Sequence, residues 1–128
     1  MKYTATFQNG IRARTFYYKV SDMTAAVTWW SQFLHVTPHK SMAEYSEFKL
    51  NDFRIGFVLN SFGDVYTGNR GTLMLECETE EHLQTYLGRA RELGAKEISN
   101  NLDDISLHSV ILQDPLGNEF ELGNLNHD

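Results

Sequence analysis

The side chains able to do acid–base or donor chemistry recur at matching places in the two halves of this 128-residue chain. Thr15-Phe16-Tyr17-Tyr18-Lys19-Val20 and Thr72-Leu73-Met74-Leu75-Glu76-Cys77 lie 57 positions apart. Both alternate apolar with polar or amphipathic residues, the mark of a strand with two unlike faces. With Phe16, Tyr18, Val20, Leu73, Leu75 and Cys77 turned toward helices, the other face carries Thr15, Tyr17, Lys19, Thr72, Met74 and Glu76. Lys19 and Glu76 are equivalent under the offset and opposite in charge, so they could pair or remain a solvent-edge ion pair. Glu119 and Glu121 share one face of a short strand near the end. Glu121 could serve as a general base or as a hydrogen-bond acceptor for a ligand. It could equally be satisfied by the hydroxyl of Thr15 or Thr72. His108, in the run Ser106–Gln113, is a candidate acid or base beside Glu121, or a structural histidine. No pair among His35, His39, His82, His108 and His127 has metal-ligand spacing on one element.

Aromatic residues crowd the late strands of the first half and the stretch after them: Phe48, Phe53, Phe57, Phe62 and Tyr66. They could wall a pocket for a flat or apolar ligand, with Phe57 among the lining residues, or simply pack the sheet. The single cysteine, Cys77, excludes an intrachain disulfide and a Cys-x-x-Cys zinc site, and reads as a buried, inert thiol. There is no phosphate-binding glycine loop, nucleophile elbow or recognisable Cys/His dyad.

These residues need elements to position them. Asp22 is a good helix N-cap, and Ala26, Val27, Trp30, Phe33 and Leu34 form one apolar stripe. The spacing predicts a helix over 23–34, with Pro38 helping to stop it. Trp29 falls at the stripe's edge. Thr79, Glu80 and Glu81 open a second helix over 80–93, with Leu83, Tyr86, Leu87, Ala90 and Leu93 on its face and Gly94 at its end. Strand-like runs follow each helix: 37–41, 44–50 and 54–59, then 96–99, 106–113 and 119–122. Asn51-Asp52 and Asp114-Pro115-Leu116-Gly117-Asn118 read as hairpin turns. The fold class is therefore α+β, with two tandem βαβββ modules over about 13–60 and 71–125 in a single domain spanning 1–128. Residues 61–70 read as the linker. Residues 1–12 could be an extra strand, an arm to a partner subunit or a frayed end.

Composition narrows the function classes. The formal charge of −6 argues against nucleic acid and anionic membrane surfaces as partners, and would suit a cationic ligand. No apolar run has signal-peptide or membrane-spanning length, so the expected compartment is the cytoplasm.

The segments Val20-Ser21-Asp22 with Ala26-Val27-x-x-Trp30-x-x-Phe33-Leu34, Glu80-x-x-Leu83, and Arg91-Glu92-Leu93-Gly94-Ala95 carry a resemblance. So, most specifically, does Asp114-Pro115-x-Gly117-Asn118-x-Phe120-Glu121-Leu122. Over about 13–125 the chain resembles the vicinal oxygen chelate superfamily, which includes glyoxalase I, bleomycin-resistance proteins and extradiol dioxygenases. The resemblance implies mixed sheets curled around a cleft, commonly in a homodimer. In metal-dependent members it implies a divalent ion held by His, Gln or Glu from four strands, stabilising charge that develops on the substrate. Mapped from the local motifs, those positions are Thr15, seven before Asp22; Thr72; a residue within 55–59, where no side chain is a donor; and Glu121. One expected ligand of four is present, and threonine hydroxyls bind such ions weakly. The expectation is thus no catalytic metal and no cofactor, and a protein that binds or sequesters a small molecule. The alternatives are a lyase or isomerase similar to lactoylglutathione lyase and, less favoured, a dioxygenase.

Overall fold

The computed structural model describes residues 7–59, 72–105 and 107–124. The linker read at 61–70, with Phe62 and Tyr66, lies outside the described residues. The chain divides into two compact units on either side of the 65/66 boundary, each a βαβββ module. Module 1 comprises β1 (Thr15–Val20), α1 (Met23–Leu34), β2 (Lys40–Ser41), β3 (Tyr45–Leu50) and β4 (Phe53–Leu59). Module 2 comprises β5 (Leu73–Glu76), α2 (Glu80–Glu92), β6 (Lys96–Asn100), β7 (Ser109–Gln113) and β8 (Glu119–Gly123). Each module is a four-stranded mixed sheet, ordered β1-β4-β3-β2 and β5-β8-β7-β6. The first strand runs parallel to the last, and the remaining pairs are antiparallel hairpins. A parallel pair needs a crossover, and the helix with the two strands after it provides one. Residues 7–12 lie outside both sheets; Gln8 and Ile11 pair across a turn in which Asn9 and Gly10 have positive φ.

Local chemistry explains the helix ends. Asp22 accepts a hydrogen bond from the Ala25 amide at 3.0 Å. Thr79 does the same for the His82 amide at 3.1 Å. Both satisfy amides that the first helical turn leaves without a partner. α2 carries Glu80 and Glu81 in its first turn and Arg89 and Arg91 in its last, matched to the helix dipole. The stop of α1 differs from the sequence reading. His35 ends it by entering the left-handed region at φ 57°, three residues before Pro38. In α2 the turn is made by Gly94 at φ 88°, as its sequence position implies. Strand β2 is shorter than the 37–41 run, and β7 starts at Ser109 instead of 106 because His108 turns the chain at φ 37°.

Each helix packs on one sheet face. In module 1 the core holds Tyr18, Trp30, Phe33, Phe48, Ile55 and Phe57. Trp29 is also buried, stacked on Phe33 with ring centroids 5.2 Å apart. Phe57 corrects an expectation. It is paired across from Tyr18, fully buried, and stacked on that ring at 5.8 Å, so it belongs to the helix side and lines no ligand face. In module 2 the core holds Leu83, Leu87, Val110, Leu112, Phe120 and Leu122. Among the described residues no helix is long and apolar enough to cross a membrane.

The β7–β8 turn depends on one buried side chain. The Asp114 carboxylate accepts from the Leu116 amide at 2.9 Å, the Asn118 amide at 2.8 Å and the Asn118 side-chain amide at 2.9 Å. Asp114→Ala leaves these donors without a partner and is expected to cost about 2–3 kcal/mol. Asp114→Asn, which keeps the Oδ1 acceptor for both backbone amides, is expected to cost less than half of that. Urea denaturation of the three proteins checks the order.

Candidate functional site

The face of each sheet turned away from its helix carries most of the polar chemistry predicted from the sequence. In module 1 it consists of three cross-strand rows: Thr15–Arg54–Lys49, Tyr17–Gly56–Glu47–Lys40, and Lys19–Val58–Tyr45. In module 2 the rows are Thr72–Glu119–Gln113–Lys96, Met74–Glu121–Ile111–Ser99, and Glu76–Gly123–Ser109. Thr15, Tyr17 and Lys19 are therefore on one open face, and Thr72, Met74, Glu76 and Glu121 on the other. The two faces are equivalent in register, since Tyr17 pairs with Gly56 where Met74 pairs with Glu121. The position matching Glu121 in module 1 is thus a glycine.

Gly56 is a glycine for a packing reason. A Cβ placed there would sit 2.8 Å from Cδ1 of Tyr17 and 3.2 Å from Cε1 of Tyr45. These two rings close over it, with centroids 5.8 Å apart. Beside them lies Glu47, a carboxylate that sequence reasoning did not single out. It is 1% exposed. Its Oε1 accepts a short hydrogen bond from the Tyr45 hydroxyl. Its Oε2 lies 3.0 Å from Arg54 Nε and 3.9 Å from His39 Nε2. The Arg54 contact misses the N–H direction, so it is an ion pair without a hydrogen bond. Burial by itself would push the Glu47 carboxyl upward. The Tyr45 hydroxyl and the charges of Lys40, Arg54 and Arg14 more than offset this and hold it below the ordinary carboxylate value. Tyr45 moves the other way: burial and the adjacent Glu47 charge raise its phenol well above the usual range. At neutral pH the pair is an ionised carboxylate under a neutral phenol. The one readable signal was the Asn51-Asp52 turn, which fixes the hairpin register and puts Glu47 opposite Gly56.

On module 2 the carboxylates are partnered differently from the expectation. Glu121 accepts from the Ser109 hydroxyl at 2.5 Å. Thr72 instead donates to Glu119, at 2.7 Å. His108 is not beside Glu121. It stands between α2 and the β6–β7 loop, with Nε2 2.5 Å from Glu80 Oε1 and Nδ1 2.8 Å from the Leu102 carbonyl oxygen. The Glu80 contact, and then the Leu102 carbonyl, raise its pKa above 6.5. Cys77 is buried, and burial together with the charges of Glu76 and Glu80 raises its thiol. A protonated, enclosed thiol is a poor nucleophile.

The family model for the glyoxalase-like domain matches residues 15–123. The chain belongs to this family, and with it to the vicinal oxygen chelate superfamily. Solved structures agree on the glyoxalase fold. A glyoxalase/bleomycin resistance protein/dioxygenase family enzyme from Burkholderia phytofirmans is 17% identical, with a TM-score of 0.75 over 87% of this chain and 96% of that one. A lactoylglutathione lyase from Agrobacterium tumefaciens is 13% identical, with a TM-score of 0.70 over 91% and 96%. A glyoxalase-related enzyme from Fulvimarina pelagi is 15% identical, with a TM-score of 0.71 over 88% and 87%. No curated protein sequence matches the chain.

Two predictions test this glyoxalase-like geometry. Gly56→Ala must displace the Tyr17 ring and is expected to cost about 1–2 kcal/mol. In a Tyr17→Leu background the same change is expected to cost less, as a double-mutant cycle by urea denaturation would show. The His108–Glu80 contact predicts a pH dependence. Because the folded pKa of His108 is raised, its stabilisation is complete below 6.5 and is lost as pH rises through the higher folded value. Glu80 is held below its ordinary value of 4.5 by the Gln84 side-chain amide first and by His108 second, so its share is present above that pH and is lost as pH falls through the lower folded value. In an NMR titration the His108 imidazole is expected to lose its proton above pH 6.5. Glu80→Gln should bring that midpoint down. An unchanged midpoint in the variant contradicts the assignment.

Proposed function

We propose that this chain is a small-molecule-binding member of the glyoxalase-like family that works without the family's divalent metal. The observation that carries the reading is the chemistry at the four mapped positions. They are Thr15, Thr72, Glu121 and a residue within 55–59, where no side chain is a donor, so the set offers two hydroxyls and one carboxylate. Thr15 already accepts from Arg14 at 2.8 Å. Thr72 donates to Glu119, and Glu121 accepts from Ser109. Such a donor set does not fit zinc, nickel or iron, which take imidazole and carboxylate ligands. Among the described residues no group of three or more His, Cys, Asp or Glu could hold an ion.

In this reading the open faces bind a ligand through hydrogen bonds, ring contacts and charge. Tyr17 and Lys19 are the side chains that would meet a ligand on the face of module 1, and Met74, Glu76 and Glu121 those that would meet one on the face of module 2. The protein acts as a cytoplasmic homodimer, dimers being common in the family.

Elemental analysis after incubation with zinc, nickel, manganese and ferrous iron, and removal of excess, tests the proposal. The expected retention is far below one ion per chain. Near one ion per chain or per dimer overturns it and favours the metal-dependent lyase instead. The variant Thr15→His/Thr72→His, which puts imidazoles at two of the mapped positions, is expected to bind nickel or zinc at least tenfold more tightly than wild type.

A further inference from the structure

The net charge of −6 is not spread evenly. Residues 1–65 hold seven Lys and Arg against five Asp and Glu, a net +2. Residues 66–128 hold four against twelve, a net −8. The overall acidity, which by itself suits a cationic ligand, is therefore a property of module 2. The open face of module 1 has the opposite character. Arg14, Lys40, Lys49 and Arg54 surround a single carboxylate, Glu47, which is enclosed and already engaged by Tyr45 and Arg54. Lys40, Lys49 and Arg14 are exposed.

Next to these cations is an accessible aromatic surface. Tyr17 is 52% exposed although its ring is fixed against Tyr45 and the bare Gly56 backbone. A ring held in this way offers one face for stacking with little further loss of freedom. The cationic row Thr15–Arg54–Lys49 is the next row along the strands from Tyr17–Gly56–Glu47. Adjacent rows on one face are two residues apart, about 7 Å. An arene lying on Tyr17 can place a carboxylate on a short linker at that row. There the Thr15 hydroxyl with its Arg14 guanidinium, and the Lys49 ammonium, stand on either side of Arg54.

We propose that the open face of module 1 binds a planar aromatic carboxylate, its ring on Tyr17 and its carboxylate on the row of Arg14, Arg54 and Lys49. This rests on the small-molecule-binding reading above and assigns the ligand class. It replaces the cationic ligand that the total charge suggested. A cation would meet the lysines and arginines of this face with no accessible carboxylate among the described residues of its cross-strand rows, because Glu47 is buried beside the tyrosines.

Three matched probes that differ only in charge provide the test: indole-3-acetate, indole-3-acetamide and tryptamine, titrated into the full-length protein and followed by amide chemical shifts. Indole-3-acetate is expected to shift β1, β3 and β4, with the amide about tenfold weaker and tryptamine weaker still, since a charge-assisted bond is what the anion alone gains. The double variant Arg14→Gln/Lys49→Gln, both exposed and neither in the packed core, is expected to raise the indole-3-acetate Kd about tenfold and to remove the preference over the amide. Tyr17→Leu is expected to weaken the acetate and the amide together. Glu92→Gln, exposed on α2 of module 2, should leave the module 1 shifts unchanged. Equal or tighter binding of tryptamine, shifts confined to module 2, or no shift in β1, β3 and β4 with any probe each overturns the proposal. Metal retention is a separate readout. A protein that holds an ion and also selects the anion on module 1 contradicts the metal-free reading and keeps this one. A metal-free protein with no anion preference does the reverse.

Discussion

Glu47 stays ionised inside module 1, and the open face around it is organised by that requirement. A buried carboxylate is tolerated only with close counter-charges and hydrogen-bond donors, and removing one of its partners is costly. Here the donor is the Tyr45 hydroxyl, and the counter-charge is Arg54 at 3.0 Å, with Lys40 and Arg14 adding their fields. Tyr45 can reach Glu47 because the two are separated by one residue on β3 and so point the same way. Tyr17 can close beside Tyr45 because position 56 has no side chain. Arg14 and Lys40, drawn toward the same carboxylate, add to the positive character of this face. A buried charge thus sets the electrostatic character of the surface above it.

The two modules show how one backbone plan carries two kinds of chemistry. Both place the first strand parallel to the last, with Tyr17 opposite Gly56 where Met74 is opposite Glu121. Both cover one sheet face with a capped amphipathic helix. The open faces differ at the equivalent positions: Gly56 against Glu121, Tyr17 against Met74, Lys19 against Glu76. In module 2 two of the open-face carboxylates are tied by short bonds to hydroxyls, Glu119 to Thr72 and Glu121 to Ser109. In the cross-strand rows of the open face of module 1 the one carboxylate, Glu47, is hidden, and cations and rings remain outside. Charge separation of this kind is invisible in a net figure for the whole chain, since opposite faces partly cancel in the sum.

Several polar and aromatic side chains are held by contacts that shape turns and the core. His108 bridges the first turn of α2 to the β6–β7 loop through Glu80 and the Leu102 carbonyl. Its positive φ ends the strand that the alternation would have carried back to residue 106. Asp114 closes the last turn with both carboxylate oxygens and owes its burial to that task. Phe57, offered as a pocket wall, is a core ring, because pairing with Tyr18 puts it under α1.

By itself the sequence determined what depends on local spacing. The period of Ala26, Trp30, Phe33 and Leu34 located α1 to the residue, because a helical stripe has to face a core. The strict alternation from Thr15 to Val20 separated the two faces of β1, because side chains alternate across a strand. Turn chemistry at Asn51-Asp52 and at Asp114–Asn118 marked the hairpins. The motifs were enough to identify the superfamily. What the tertiary structure alone decided depends on neighbours distant in sequence. Periodicity does not say that a glutamate is buried, since a charged residue on a strand's polar face is ordinarily in water. The burial of Glu47 needed Arg54 from β4 and the Tyr17 ring from β1 brought over Gly56, a strand that follows β3 and one that precedes it by a helix. The partners of Glu121 and Thr72 were likewise set by cross-strand register. A shift of two residues exchanges one hydroxyl for another, and local spacing carries no term that distinguishes them.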